Sequence, residues 1–125
     1  MTTTENGTHP IIIRVRQAAD DIRLANHATY GNRCEVIDLY ELLGSLTELL
    51  QRLPQLIAYL RDVLDDADSQ FYEHDRGDSS DDTLNLADFC LIDALSSLAL
   101  AHGALSQAWT EIGHLRPRDI DSDSE

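Results

Sequence analysis

A chain of 125 residues, 42% of them apolar, fits one domain with a core of its own comfortably and two domains poorly. Nine basic residues against 23 acidic ones give a net charge of −14. That balance weighs against a direct grip on a nucleic-acid backbone or an anionic membrane surface, and favours solubility and a basic partner.

Residues 1–8 are polar and Thr-rich and read as a flexible leader, with neither the basic start nor the apolar run of a signal peptide. No stretch is expected to approach the ~20 apolar residues that a membrane span requires. Cys34 and Cys90 have no CxxC spacing, and the reading is two reduced thiols in a cytoplasmic protein.

Thr8-His9-Pro10 starts the first helix, since the missing N–H of a first-turn Pro costs nothing. Ile11, Val15, Ala18, Ile22, Ala25 and Thr29 then recur on one helical face, and Gly31 is placed to end the helix in the left-handed region. The spacing predicts a helix over 9–30.

Asn32-Arg33-Cys34-Glu35 has the form of a capping box opening a second helix over 33–67. Along it, Val36, Leu39, Leu43, Leu46, Leu50, Leu53, Ile57, Leu60 and Leu64 alternate steps of three and four. Leu42, Leu49, Leu56 and Val63 form a second row beside the first. A stripe that wide belongs to a helix covered by more than one neighbour. Pro54 deletes a backbone hydrogen bond and clashes with the carbonyl of Leu50, yet the register passes through it unshifted. A continuous, kinked helix is expected, with a clean break as the alternative.

Residues 65–82 read as an acidic loop carrying Asp65, Asp66, Asp68, Glu73, Asp75, Asp78, Asp81 and Asp82, with Phe71 and Tyr72 pinning its middle to the bundle end. The third helix spans about 83–115. Leu84, Leu91, Leu98, Leu105 and Ile112 form one row and Ala87, Ala94, Ala101 and Ala108 the other, a small-residue row that lets a neighbour approach closely. Arg116-Pro117 should end it, and residues 118–125 read as a disordered acidic tail. Charge sits mainly outside the helices: −8 within 62–82 and −4 in 119–125, leaving −2 for the rest. A nucleic-acid mimic would spread its carboxylates along rigid helices instead.

The run Leu42-Leu43-Gly44-Ser45-Leu46-Thr47-Glu48-Leu49-Leu50-Gln51-Arg52-Leu53-Pro54-Gln55-Leu56 resembles a segment of short acidic helical proteins of actinobacterial genomes and mobile elements. The resemblance covers the second helix and, more loosely, the third. It implies a helical fold and carries no activity.

Chemistry-bearing constellations are sparse. Glu111-x-x-His114 has the spacing of a di-iron bundle ligand pair, but occurs once and without inward glutamates elsewhere; a solvent-facing pair is the reading. Asp119-x-Asp121-x-Asp123 lacks the Gly and closing Glu of a calcium loop. No phosphate-cradling or nucleophile motif is present, so neither a metal, a cofactor nor a catalytic residue is expected. His102 and Trp109 flank the third helix's stripe, as boundary residue and packing anchor or as contact residues.

The expectation is all-α: an antiparallel bundle of three long helices over 9–117, completed by dimerisation. The leading function is a non-enzymatic protein–protein interaction module, with Trp109, His102, Phe71 and Tyr72 as candidate contacts. The alternative is an acidic inhibitor, immunity-like or anti-defence, whose loop plugs a basic nuclease or DNA-binding partner. A metal-dependent enzyme on a bundle scaffold stands third.

Overall fold

The computed structural model describes residues 7–118; the expected flexible leader up to residue 6 and the acidic tail from residue 119, with Asp119, Asp121, Asp123 and Glu125, lie outside them. The described residues are helical without a strand, in three long helices: α1 (Pro10–Ala28), α2 (Val36–Asp66) and α3 (Ser80–Ile112). The chain divides into two compact units, residues 1–35 and 36–125.

In the first unit, His9 caps α1: its Nδ1 accepts the Ile11 N–H at 3.1 Å, and Pro10 takes the first helical position. The far end closes as expected, with Gly31 at φ +76 in the left-handed region. Asn32 does not cap the second helix. Its amide donates to the Ala28 carbonyl at 2.9 Å, so it finishes α1, and α2 begins four residues later. An Asn between two helices can satisfy either end. The apolar side chains Ile12, Ile13, Val15, Ile22 and Leu24 of α1 are all exposed.

The second unit is a hairpin of α2 packed on α3. α2 runs unbroken through Pro54. Its face toward α3 carries Leu39, Leu43, Leu46, Leu50, Ile57 and Leu64, each buried or half-buried. Facing them, Leu84, Leu91, Leu98, Leu105 and Ile112 of α3 are half-buried, as are Ala87, Ala94 and Ala108; Ala101 is exposed. Thr47 enters this apolar seam without leaving a polar group unmet, because its hydroxyl donates to the Leu43 carbonyl at 2.8 Å.

The connection differs from the expected loop. Asp65 and Asp66 are the last turn of α2, and Asp81 and Asp82 are in the first turn of α3, leaving Asp68, Glu73, Asp75 and Asp78 between the helices. Acids suit the α3 start, where the helix dipole is positive, and oppose the dipole at the α2 end. The segment is a succession of hydrogen-bonded turns. Asp68 caps a 3-10 turn, Ser69–Phe71, by accepting the Gln70 N–H at 3.0 Å. His74 Nδ1 accepts the Arg76 N–H, and Gly77, at φ +80, donates to the His74 carbonyl at 3.0 Å. Ser79 caps α3, and the Ser80 hydroxyl donates to the Tyr72 carbonyl at 2.6 Å. Backbone and hydroxyl groups therefore tie the connection down, not its aromatic rings. Phe71 is 82% exposed and Tyr72 61%, because the 3-10 turn aims both outward, against the expected pin.

α3 ends at Gly113, before the expected Arg116-Pro117 stop. By length and composition it is apolar enough to cross a membrane, against the expectation that no stretch would be, because single polar residues interrupt its apolar rows without making it polar on average.

Candidate interaction surface

The hairpin has two faces of opposite character. At 100° per residue, Ala58, Asp62 and Asp65 of α2 share a flank, and Asp81, Asn85 and Asp88 of α3 share another. The two flanks line one groove of about 420 Å³ at the end nearest the connection, so they lie on the same side of the hairpin. At its floor Arg61 Nε and Nη2 donate to the two carboxylate oxygens of Asp88, at 2.8 and 3.2 Å. This bidentate bond holds the Asp88 carboxyl below the usual carboxylate range, and with the nearby carboxylates of Asp88, Asp62 and Asp65 it raises the Arg61 guanidinium further.

At the hairpin's other end the same side carries an aromatic nook lined by Tyr40, Trp109, Thr110 and Gly113. The Tyr40 and Trp109 rings lie 5.8 Å apart, tilted by 40°. Gly44 makes room for them. A Cβ there would stand 3.0 Å from the Trp109 ring, and one at Gly113 would stand 3.0 Å from the Tyr40 ring. Trp109 is thus a packing anchor between the two helices. Its buried indole N–H has no hydrogen-bond partner among the described residues. His102 is half-buried about two helical turns earlier on the same side of α3.

The opposite face is apolar. Leu42, Leu49, Leu60 and Val63 lie along one flank of α2 and are 36–50% exposed. Beside them on α3 run Leu86, Cys90, Asp93, Ser97, Ala101 and Ala104, all exposed, with Asp93 the one charged side chain in that row. Phe89 and Leu100 extend this surface around the back of α3, at 67% and 77% exposure. Among the described residues only Leu43 and Thr47 are buried. Phe89, Leu86 and Leu100 fall off the three-four rows of α3 and went unnoticed in the sequence; a helical projection that marks every large apolar residue finds them.

Of the other sequence candidates, Glu111 and His114 are both exposed, with His114 in the turn after α3. Among the described residues, no three His, Cys, Asp or Glu side chains gather as a metal site would require. Cys34 and Cys90 are both free and exposed. No protein-family model, curated protein or solved structure matches the chain.

Proposed function

We propose that this protein is a non-enzymatic protein–protein interaction module of the cytoplasm. In this reading the three helices form an antiparallel bundle that a second copy completes. The observation that carries it is the apolar face. A soluble monomer rarely leaves leucines contiguous over one side of a hairpin, and each half-exposed Leu forgoes on the order of 1 kcal/mol of burial. Covering that face with another protein surface recovers the loss. The polar cluster of the opposite face, Arg61 with Asp88, is a satisfied ion pair.

The test is recovery of the tagged chain from its host, followed by mass spectrometry and sizing. A protein bound to the unaltered chain, whether another copy or a different partner, and lost with Leu49→Glu, supports the reading. A chain recovered alone and monomeric ends it.

An acidic inhibitor is the second reading, favoured by one observation: Asp62, Asp65 and Asp81 converge on a single groove whose only Arg is already paired with Asp88. Replacing Asp65, Asp66, Asp68, Glu73, Asp75, Asp78, Asp81 and Asp82 with Asn, Gln or Ser should abolish capture of a basic partner. Unchanged capture excludes this reading.

A further inference from the structure

The apolar face of the hairpin is self-complementary, and we propose that it is the subunit interface, occupied by the same face of a second copy. This rests on the interaction-module reading and specifies its surface and its partner.

Three observations converge. The first is relief. The α2 half of the face is raised by Leu42, Leu49, Leu60 and Val63; the α3 half, past Leu86 at its start, is low along Cys90, Ser97, Ala101 and Ala104. A twofold axis parallel to the helices sets the α2 leucines of each copy over the small residues of the other's α3. Every neighbouring pair of helices is then antiparallel, as in an up-down four-helix bundle.

The second is charge. Between Leu42 and Val63 the leucine flank of α2 carries no carboxylate, while Asp62, Asp65, Asp81 and Asp88 line the groove on the opposite face. Two chains of net charge −14 meet most readily where charge is sparsest, and the leucine flank is such a surface, with Asp93 the carboxylate that stands on the α3 half among Leu86, Ser97 and Leu100. A basic partner would find no carboxylate along that flank to pair with.

The third is area. At 1.5 Å per residue the face is ~32 Å long, and two helix diameters make it ~20 Å wide, or ~640 Å² a side. Two such faces bury ~1,300 Å², within the size range of specific interfaces.

Sedimentation of the unaltered chain at about 200 µM should give twice the 14.0 kDa chain mass. Leu49→Glu on the raised half and Ala104→Trp on the low half should each weaken association about a hundredfold or more, with Gln55→Glu on the polar face leaving it unchanged. Circular dichroism of each variant reports whether the helices persist. Should either variant unfold, alkylation of the unaltered chain decides. Cys90 should react about tenfold or more slowly, relative to Cys34, when the chain is concentrated from below its dissociation constant to well above it. A monomer at 200 µM overturns the proposal, and so does a dimer indifferent to both variants. A monomer whose Cys90 is shielded at every dilution is covered by its own chain, which also overturns it. A monomer in isolation that still captures a different protein from its host overturns this inference and leaves the interaction-module reading standing.

Discussion

On one side of the α2–α3 hairpin, Arg61 meets Asp88 in a bidentate bond and Tyr40 closes over Trp109 in a nook opened by Gly44 and Gly113. On the other side, Leu42, Leu49, Leu60 and Val63 stand in a row, each 36–50% exposed. The same two helices supply both sides. The polar side is finished within one chain: its ion pair is made and its large ring is seated. The apolar side is patterned like a core and exposed like a surface. The difference is what the proposed assembly rests on: on that proposal one hairpin is half of a packing unit, and the other half matches leucines on α2 and small residues on α3.

Substitutions on the two sides separate these roles. The largest effect is expected at Trp109. Trp109→Ala removes the anchor between α2 and α3 and should cost about 3 kcal/mol, read as a fall of ~10 °C or more in Tm. Trp109→Phe should cost far less, because it also removes an indole N–H that is buried without a partner. Next comes Leu60→Ala. A residue that stayed 42% exposed in the native assembly should lose under ~1 kcal/mol on truncation, whereas one covered by a second copy should lose about 2 kcal/mol. Unfolding at fixed protein concentration gives the value, and a loss near zero would erase the contrast between the two faces. Gly44→Ala pits two effects against each other. Alanine gains about 1 kcal/mol in helix propensity, but its Cβ at 3.0 Å from the Trp109 ring forces a shift costing about 1–3 kcal/mol. A net destabilisation of about 1 kcal/mol is expected by thermal melting. The smallest effect is the pH dependence carried by Asp88. Its folded carboxyl is held below the ordinary value, so it adds stability above that value and loses it as pH falls through the folded one. Stability curves of the unaltered chain and Asp88→Asn should therefore converge in acid and part toward neutrality.

The long elements were legible because their signal is redundant. Some ten apolar positions hold the three-four alternation of α2, so neither Pro54 nor a single polar residue erases it. The wide stripe, with Leu42, Leu49 and Val63 beside the inner row, was legible too, and its exposure in the hairpin is what the candidate surface is built on. Features that rest on one or two residues were not legible. Asn32 could bond to either of two helix ends, and only the backbone trace assigns it to Ala28. Phe71 and Tyr72 have the composition of pins, but the 3-10 turn directs them into water. Arg61 and Asp88 lie 27 residues apart, and their pairing depends on the register of two helices that no local pattern encodes. Gly44 is meaningful only once Trp109 is found beside it.

The most direct test uses Cys90, which lies on the low half of the apolar face. With Cys34→Ser removing the second thiol, a spin label on Cys90 reports the distance between copies. In the twofold bundle the two α3 helices lie diagonally at the same height, so with helices ~10 Å apart the labels should sit about 15–25 Å from each other. A sharp distance in that range is the expected result. Absence of any interlabel distance in a concentrated sample, or a separation beyond ~40 Å, would contradict the face-to-face assembly.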